Sequence, residues 1–211
     1  MMDLHIPVRT ALATNMFTLT VMSVGSVIPF VRGAEVDRQR ALPLVILTLI
    51  GSTVGALLVF VVPSEWLPKI IPFAMLFVLG FLLLKPKVGK LRPRAGYIAA
   101  FILAIYGGFF SGGYVTMLIA ACTFFFGYSL LRAIVMARLM NVASSLIATG
   151  IFAWHGTIDW KLAAITGTAA FAGGVAGGRM ARLMPERLLR FIFVAAVAGL
   201  AIKALIATGK S

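Results

Sequence analysis

Long apolar runs alternate with short polar joints along the whole chain. A membrane-crossing helix needs about 20 mostly apolar residues, and the pattern predicts spans near 10–31, 39–62, 66–84, 96–111, 113–127, 130–154, 160–182 and 187–207. The fourth and fifth runs are short, and Gly107, Gly108, Ser111, Gly112 and Gly113 lie at their joint. Glycine at that density weakens a helix. The joint is therefore expected to be a tight hairpin, or a pair of half-helices that enter and leave on one side. The first run is too long for the apolar core of a leader, and no small-residue cleavage pattern follows it cleanly, so it is read as a retained span.

The pattern also repeats. A slide of about 123 residues lays Arg9 on Arg132, Ser26 on Thr149 and Gly33 on Gly156. With one residue dropped, Asp37 meets Asp159, Gly51 meets Gly173, Gly55 meets Gly177 and Pro63 meets Pro185; Glu65 meets Glu186 after one further gap. Two apolar helices match easily by chance. An ordered series of Arg, Gly, Asp, Gly-x-x-x-Gly, Pro and Glu does not. The chain thus divides into a first copy over 1–84, a basic linker over 85–95 and a second copy over 96–211. The second copy carries the glycine hairpin at its head, and nothing equivalent precedes Arg9. The expected fold is an all-α integral membrane protein of about eight membrane helices or half-helices in two inverted-topology repeats, the first lacking its N-terminal glycine hairpin.

Composition agrees with a lipid environment. Hydrophobic residues make up 61% of the chain and charged residues 12%, and the mean hydropathy is +1.05. A soluble domain is nearer half apolar and a quarter charged. The net charge of +13 does not mark a nucleic-acid binder, because the basic residues sit in short loops between apolar runs rather than along one soluble face. The single cysteine, Cys122, allows neither a disulfide framework nor a cysteine metal site. His5 and His155 stand alone, without metal-ligand spacing. No cofactor is expected.

Lysine and arginine in short loops set orientation. The Lys85–Arg94 loop carries Lys85, Lys87, Lys90, Arg92 and Arg94 with no acid, and is expected on the cytoplasmic side of the plasma (inner) membrane. Counting spans places Arg32–Arg40 and Arg179–Arg190 inside, and Pro63–Lys69 and Trp154–Lys161 outside. The Gly33–Asp37 loop is then inside while its repeat partner Gly156–Asp159 is outside, so charge and repeat independently predict inversion.

Several motifs resemble one transporter family. They are Ala104-Ile-Tyr-Gly-Gly-Phe-Phe-Ser-Gly-Gly-Tyr114, Arg138-Leu-Met-Asn141 with Ser144 and Ser145, and Gly156-Thr-Ile-Asp-Trp160, with Ala13-Thr14-Asn15 and the Asp37 loop as first-half versions. The set resembles the TauE/SafE sulfite exporter family, also called the 4-toluene sulfonate uptake permease family, over nearly the whole chain. The resemblance implies export or uptake of small sulfur-containing or carboxylated anions; export of an anion such as sulfite, by alternating access, is the leading expectation. The chain departs from the family in lacking the first-half glycine motif, and Ser111 and Tyr114 stand where a longer glycine run is common.

Arg138 is the first candidate for the substrate site. All six acids, Asp3, Glu35, Asp37, Glu65, Asp159 and Glu186, lie in loops or at span ends, so no carboxylate inside a span is there to pair with it. An arginine deep in a span is costly and usually faces a cavity or a partner. Its forked donors suit an oxyanion. The alternative is an arginine that snorkels to the surface and anchors its helix. Asn141 and Ser145 follow at helical spacing and extend a polar stripe; hydrogen bonding between helices is the competing role. Asn15 stands at the repeat position of Arg138 and, with Thr14, is expected to face the same cavity from the opposite side. Gly108, Ser111 and Gly112 add a second candidate, because a break in a helix frees N–H groups and turns a positive dipole end toward an anion. Gly51-x-x-x-Gly55 and Gly173-x-x-x-Gly177 read as helix-packing motifs.

The expected partners are a small anion and the lipid bilayer, with no nucleic acid; a homo-oligomer is compatible with such a chain. A second function class is a non-transporting membrane subunit whose partner completes the first copy. An enzyme ranks last, since no Ser–His–Asp set, metal triad or paired carboxylates fall within the spans.

Overall fold

The computed structural model describes residues 7–30, 36–63, 65–67, 92–185 and 187–188. Most of the expected spans over 66–84 and 187–207, and most of the Lys85–Arg94 loop, lie outside the described residues. Helices make up the described elements, with no strand among them: α1 (Val8–Val27), continued by a 3-10 turn at Ile28–Phe30, α2 (Arg38–Val61), α3 (Pro93–Phe109), α4 (Tyr114–Phe126), α5 (Leu130–Trp154) and α6 (Trp160–Leu183). Three of them, α1 with its turn, α2 and α5, are long and apolar enough to cross a bilayer.

Local chemistry sets the ends. Asp37 caps α2 by accepting from the Arg40 N–H at 3.2 Å, Asp159 caps α6 by accepting from the Leu162 N–H at 3.0 Å, and Ser129 caps α5 through the Arg132 N–H. Each satisfies an amide that a helix start otherwise leaves open. Pro63 and Pro185 follow the ends of α2 and α6, where a proline cannot continue the ladder. Gly156, at φ 63°, lets the chain turn after α5.

The glycine-rich joint differs from expectation in one respect. The helix runs through Gly107 and Gly108 to Phe109, and only Phe110–Gly113 breaks it. Packing accounts for this: Gly107 is covered by the Tyr114 ring, and Gly108 lies on the Ser52 backbone. At the far end of the hairpin, the Arg92 N–H donates to the Phe125 carbonyl at 3.2 Å, and Tyr97 meets Phe126 edge-on at 5.5 Å. The start of α3 and the end of α4 therefore lie together. With about 1.5 Å of rise per residue, α4 reaches only about 20 Å, short of a bilayer core of about 30 Å.

α1 and α5 cross antiparallel. The Asn141 amide donates to the Ser23 hydroxyl, and Thr20 pairs with Thr149 at 3.0 Å, so one helix rises as the other falls. The core splits into two apolar clusters. One gathers Leu44, Tyr114, Met117, Leu118, Met136 and Met140; the other gathers Leu12, Met16, Val59, Ala148 and Phe152. Between them along α2 lie buried Thr48 and Ser52, and along α5 lie buried Asn141, Ser144 and Ser145. Ser52 donates to the Ser144 hydroxyl at 2.7 Å.

One end of the bundle is tied by charge. The Tyr128 hydroxyl donates to the Asp37 carboxylate at 2.7 Å, Arg132 lies 3.5 Å from that carboxylate and Arg40 3.9 Å. Arg132 also sits over the Tyr128 ring at 5.0 Å. Burial alone would raise the pKa of Asp37, but the bonds from Tyr128 and the Arg40 amide, and the two guanidinium charges, hold it below the ordinary value. Burial and the bond to Asp37 push Tyr128 up to about 12. A carboxyl depressed in the fold contributes stability above its unfolded pKa of about 3.9, and that contribution is lost as pH falls through the folded value. Asp37→Asn keeps the cap and removes the charge. Thermal unfolding in detergent should show it less stable than wild type at pH 7, with the gap closing toward pH 3; a gap constant with pH would refute this role for the charge.

Candidate functional site

Arg138 lies eight residues into α5, about 12 Å from its start. It is half-buried and lines a cavity of about 90 Å³ with Met22 and Ser26 of α1 and Gly173, Gly174, Gly177 and Gly178 of α6. A water needs roughly 10–15 Å³ of such space, so the cavity has room for several waters or a small oxyanion. Among the described residues Arg138 makes no ion pair and no hydrogen bond. Its cavity exists because Gly174 and Gly178 let α6 settle on α1: a Cβ at either would fall on the carbonyl oxygen of Met22 or Ser26. A further tie is made by Arg182, which donates to the Pro29 carbonyl at 2.6 Å.

The other sequence candidates are distributed around this point. Asn141 donates to Ser23, and the Ser145 hydroxyl turns back to the Asn141 carbonyl at 2.6 Å. Neither lines the Arg138 cavity. Asn15 donates to the Ser111 hydroxyl at 3.1 Å, at the joint of α3 and α4. Thr14 accepts from the Asp159 N–H at 3.2 Å and so braces the start of α6. The expectation that Asn15 and Thr14 face the Arg138 cavity is not met, because they lie toward the opposite end of α1, beyond the polar layer. Gly112 gives its carbonyl to the Tyr106 hydroxyl at 2.6 Å, and α4 starts after it without a side-chain cap. Gly108 serves packing against α2.

Sequence reasoning missed Ser26 and Met22 as cavity walls, although Ser26 stood in the repeat opposite Thr149. It also assigned packing on α6 to Gly173 and Gly177, whereas Gly174 and Gly178 are the glycines that touch α1. Cys122 is buried in the first apolar cluster, as a small core residue would be. Among the described residues no group of His, Cys, Asp and Glu could hold a metal ion.

A polar layer inside apolar helices, with an arginine lining a partly open cavity between them, is an arrangement of membrane transport proteins. Comparison with known families gives the same class: the family described as Sulfite exporter TauE/SafE matches residues 1–204, and the chain belongs to that family. It is 26% identical to a probable membrane transporter protein, ORF9, of a Sinorhizobium species, over 95% of this chain and 79% of that protein. It is 26% identical to a probable membrane transporter protein of Haemophilus influenzae, over 87% and 75%. Against the probable membrane transporter protein YfcA of Escherichia coli K12 it is 28% identical, over 87% and 71%. No solved structure matches the chain.

Proposed function

We propose that this protein moves small oxyanions, sulfite foremost, out of the cell, with Arg138 as the principal anion-binding residue. The observation that carries the proposal is a guanidinium on a cavity of about 90 Å³ with no acid to neutralise it among the described residues. In a low-dielectric setting such a group attracts an anion strongly, and the planar fork matches two oxygens at once. Ser26, on the cavity wall, adds a hydroxyl.

Alternating access is the mechanism that fits two inverted copies, a first over 1–84 and a second over 96–211 joined by the basic linker 85–95. The antiparallel crossing of α1 and α5, and the matching caps at Asp37 and Asp159, support that reading. Asn15, with Thr14 beside it, and the Gly108–Ser111–Gly112 joint would then flank the pathway from the opposite side, and Asn141 and Ser145 would hold the central crossing together. No carboxylate lies inside the described helices, so a carboxylate proton relay is disfavoured. An inside-negative potential drives an anion outward by about 2.3 kcal/mol per charge per 100 mV, which suffices for facilitated efflux. The end bearing Arg40, Arg92, Arg132 and Arg182 is assigned to the cytoplasm by its basic charge.

The test is efflux of sulfite from loaded cells carrying the chain, beside an empty vector, with organic sulfonates and carboxylates as competitors. Faster sulfite loss that competitors slow supports the reading. Efflux equal to the empty vector, with the protein present in the membrane, sinks it. A second reading, a membrane subunit completed by a partner, is favoured by one observation: Gly173 and Gly177 of α6 are exposed with open space before them.

A further inference from the structure

Most hydroxyls on these helices are satisfied within their own helix. Thr18, Thr20, Thr53, Thr123 and Thr166 each donate to the carbonyl four residues back, at 2.8–3.0 Å, a common habit of helical threonine. Thr48 of α2 does not. Its Oγ1 and the Tyr114 Oη of α4 are buried without a hydrogen-bond partner. Arg9 and Arg132 also carry a buried, unpartnered Nε, but their other nitrogens are engaged, by the Val62 carbonyl and the Asp37 carboxylate. A hydroxyl has one hydrogen and no second donor. Leaving it orphaned in a buried place is costly, so each such group calls for an explanation.

The two hydroxyls meet at one place. The Tyr114 ring is held against Gly107, and its hydroxyl faces Thr48 and Ser144 while closing a bond to neither. Beside them, Ser52 bonds the Ala104 carbonyl at 3.1 Å and the Ser144 hydroxyl at 2.7 Å. Thr48, Ser52, Tyr114 and Ser144 are each no more than 1% exposed. Three helices therefore converge on a closed cluster in which the hydrogens of Thr48 and Tyr114 are unplaced. Ser144 lies about 9 Å along α5 from Arg138 and about 240° around it. The cluster shares no residue with the Arg138 cavity.

The surplus is one of donors. A cation would engage the oxygen lone pairs and leave both hydrogens without an acceptor. A water would accept both but bring two more hydrogens of its own. An anion brings none, and a hydrogen bond to a charged acceptor is about twice as strong as one between neutral groups. The cluster holds no cationic side chain. The cost of taking an ion out of water rises steeply with its charge, which favours one negative charge over two.

We propose that Thr48, Tyr114 and Ser144 form a second anion site, separate from Arg138, that takes one small monovalent anion: a halide, or a singly charged oxyanion such as hydrogensulfite. Occupied, it ties α2, α4 and α5 together through the anion. It stands whether or not Arg138 binds the transported substrate.

The test is anion-dependent melting of the full chain in detergent, in wild type and in Arg138→Ala, where this site is read alone. Gluconate, too bulky for so closed a cluster, is the reference salt. It is exchanged at constant ionic strength for chloride, nitrate or hydrogensulfite, so that the arms tell halide from oxyanion. The melting temperature of Arg138→Ala should rise by about 3 °C or more at saturating anion. Tyr114→Phe and Thr48→Val, each added singly, should abolish the rise yet melt at or above their parent in gluconate, because each removes a hydroxyl that nothing pairs. Thr53→Val, whose hydroxyl serves only its own helix, should keep the rise. A hydroxyl with a purely structural role behaves oppositely: its loss lowers melting in gluconate, or prevents accumulation, and leaves the rise unchanged. That result overturns the proposal in favour of a self-bonded cluster or a buried water. A rise in wild type that Arg138→Ala removes also overturns it, and leaves Arg138 as the anion site. No rise with any of the three anions overturns it outright. Flux is not read, so failure of this site and failure of sulfite export remain distinct results.

Discussion

Replacing Arg138 by alanine is expected to lower sulfite efflux by about 30-fold or more while leaving the protein in the membrane at near-normal levels. The size follows from the interaction that alanine cannot make with the anion: truncating one partner of a desolvated, hydrogen-bonded charge pair costs about 2–5 kcal/mol, and each 1.4 kcal/mol is about tenfold. The sparing of the fold follows from the surroundings. Arg138 holds no carboxylate among the described residues, so its removal orphans no buried charge, and the cavity it lines is already open on the Gly173 and Gly177 side. Arg138→Lys separates charge from geometry. Lysine keeps the positive charge but loses the planar fork, and roughly tenfold lower efflux is expected from the loss of one charge-assisted bond. Efflux is measured per unit of membrane protein against the empty vector. Wild-type rates in Arg138→Ala would remove this residue from the site and leave the Asn15–Ser111 joint as the place to look. Equal, complete loss in both variants with reduced protein levels would make Arg138 a structural residue instead.

What was legible in the sequence was local. The starts of α2, α5 and α6 are set by Asp37, Ser129 and Asp159, whose side chains reach the backbone only three residues on, and prolines and Gly156 set the stops. Such interactions need no knowledge of the rest of the fold. The joint between α3 and α4 was legible as a break but not at the right residue, because Gly107 and Gly108 stay helical where they pack on Tyr114 and on Ser52, the latter far away in the chain. The same limit applied to α6. Gly173-Gly174 and Gly177-Gly178 present two faces at the same four-residue spacing, and periodicity alone does not say which meets α1. At the candidate site, Arg138, Asn141 and Ser145 do follow one stripe of α5. That stripe is about 10 Å long, however, and α1 and α6 cross it at different heights. Arg138 meets the glycines of α6, Asn141 meets Ser23, and Ser145 satisfies itself on its own helix. The buried layer of Thr48, Ser52, Ser144 and Tyr114 went unread because its members come from three helices and only packing brings them together.

The glycine faces give the second large effect. Gly55→Leu is expected to abolish accumulation of the protein, while Gly173→Leu, on the aligned residue pair of the other copy, is expected to leave the chain near wild-type level. A Cβ at Gly55 would coincide with the Ile105 carbonyl oxygen and crowd the Phe109 amide at 2.8 Å. These are backbone atoms of an intact helix, with no rotamer by which to move aside, so α3 itself must shift. Overpacking where side chains can adjust costs about 1–3 kcal/mol. Here the shift also separates Ser52 from Ser144 and from the Ala104 carbonyl; interhelical bonds of this kind contribute about 0.6 kcal/mol each. The hydrophobic effect cannot compensate between helices already in lipid, so a total of several kcal/mol is a large part of the stability of a typical fold. Gly55→Ala tests the steric argument: because the clash begins at the Cβ, alanine should be nearly as damaging as leucine. Protein levels in isolated membranes, and the melting temperature of whatever can be purified, measure both. Full tolerance of Gly55→Ala would mean that α2 and α3 approach less closely than this packing requires.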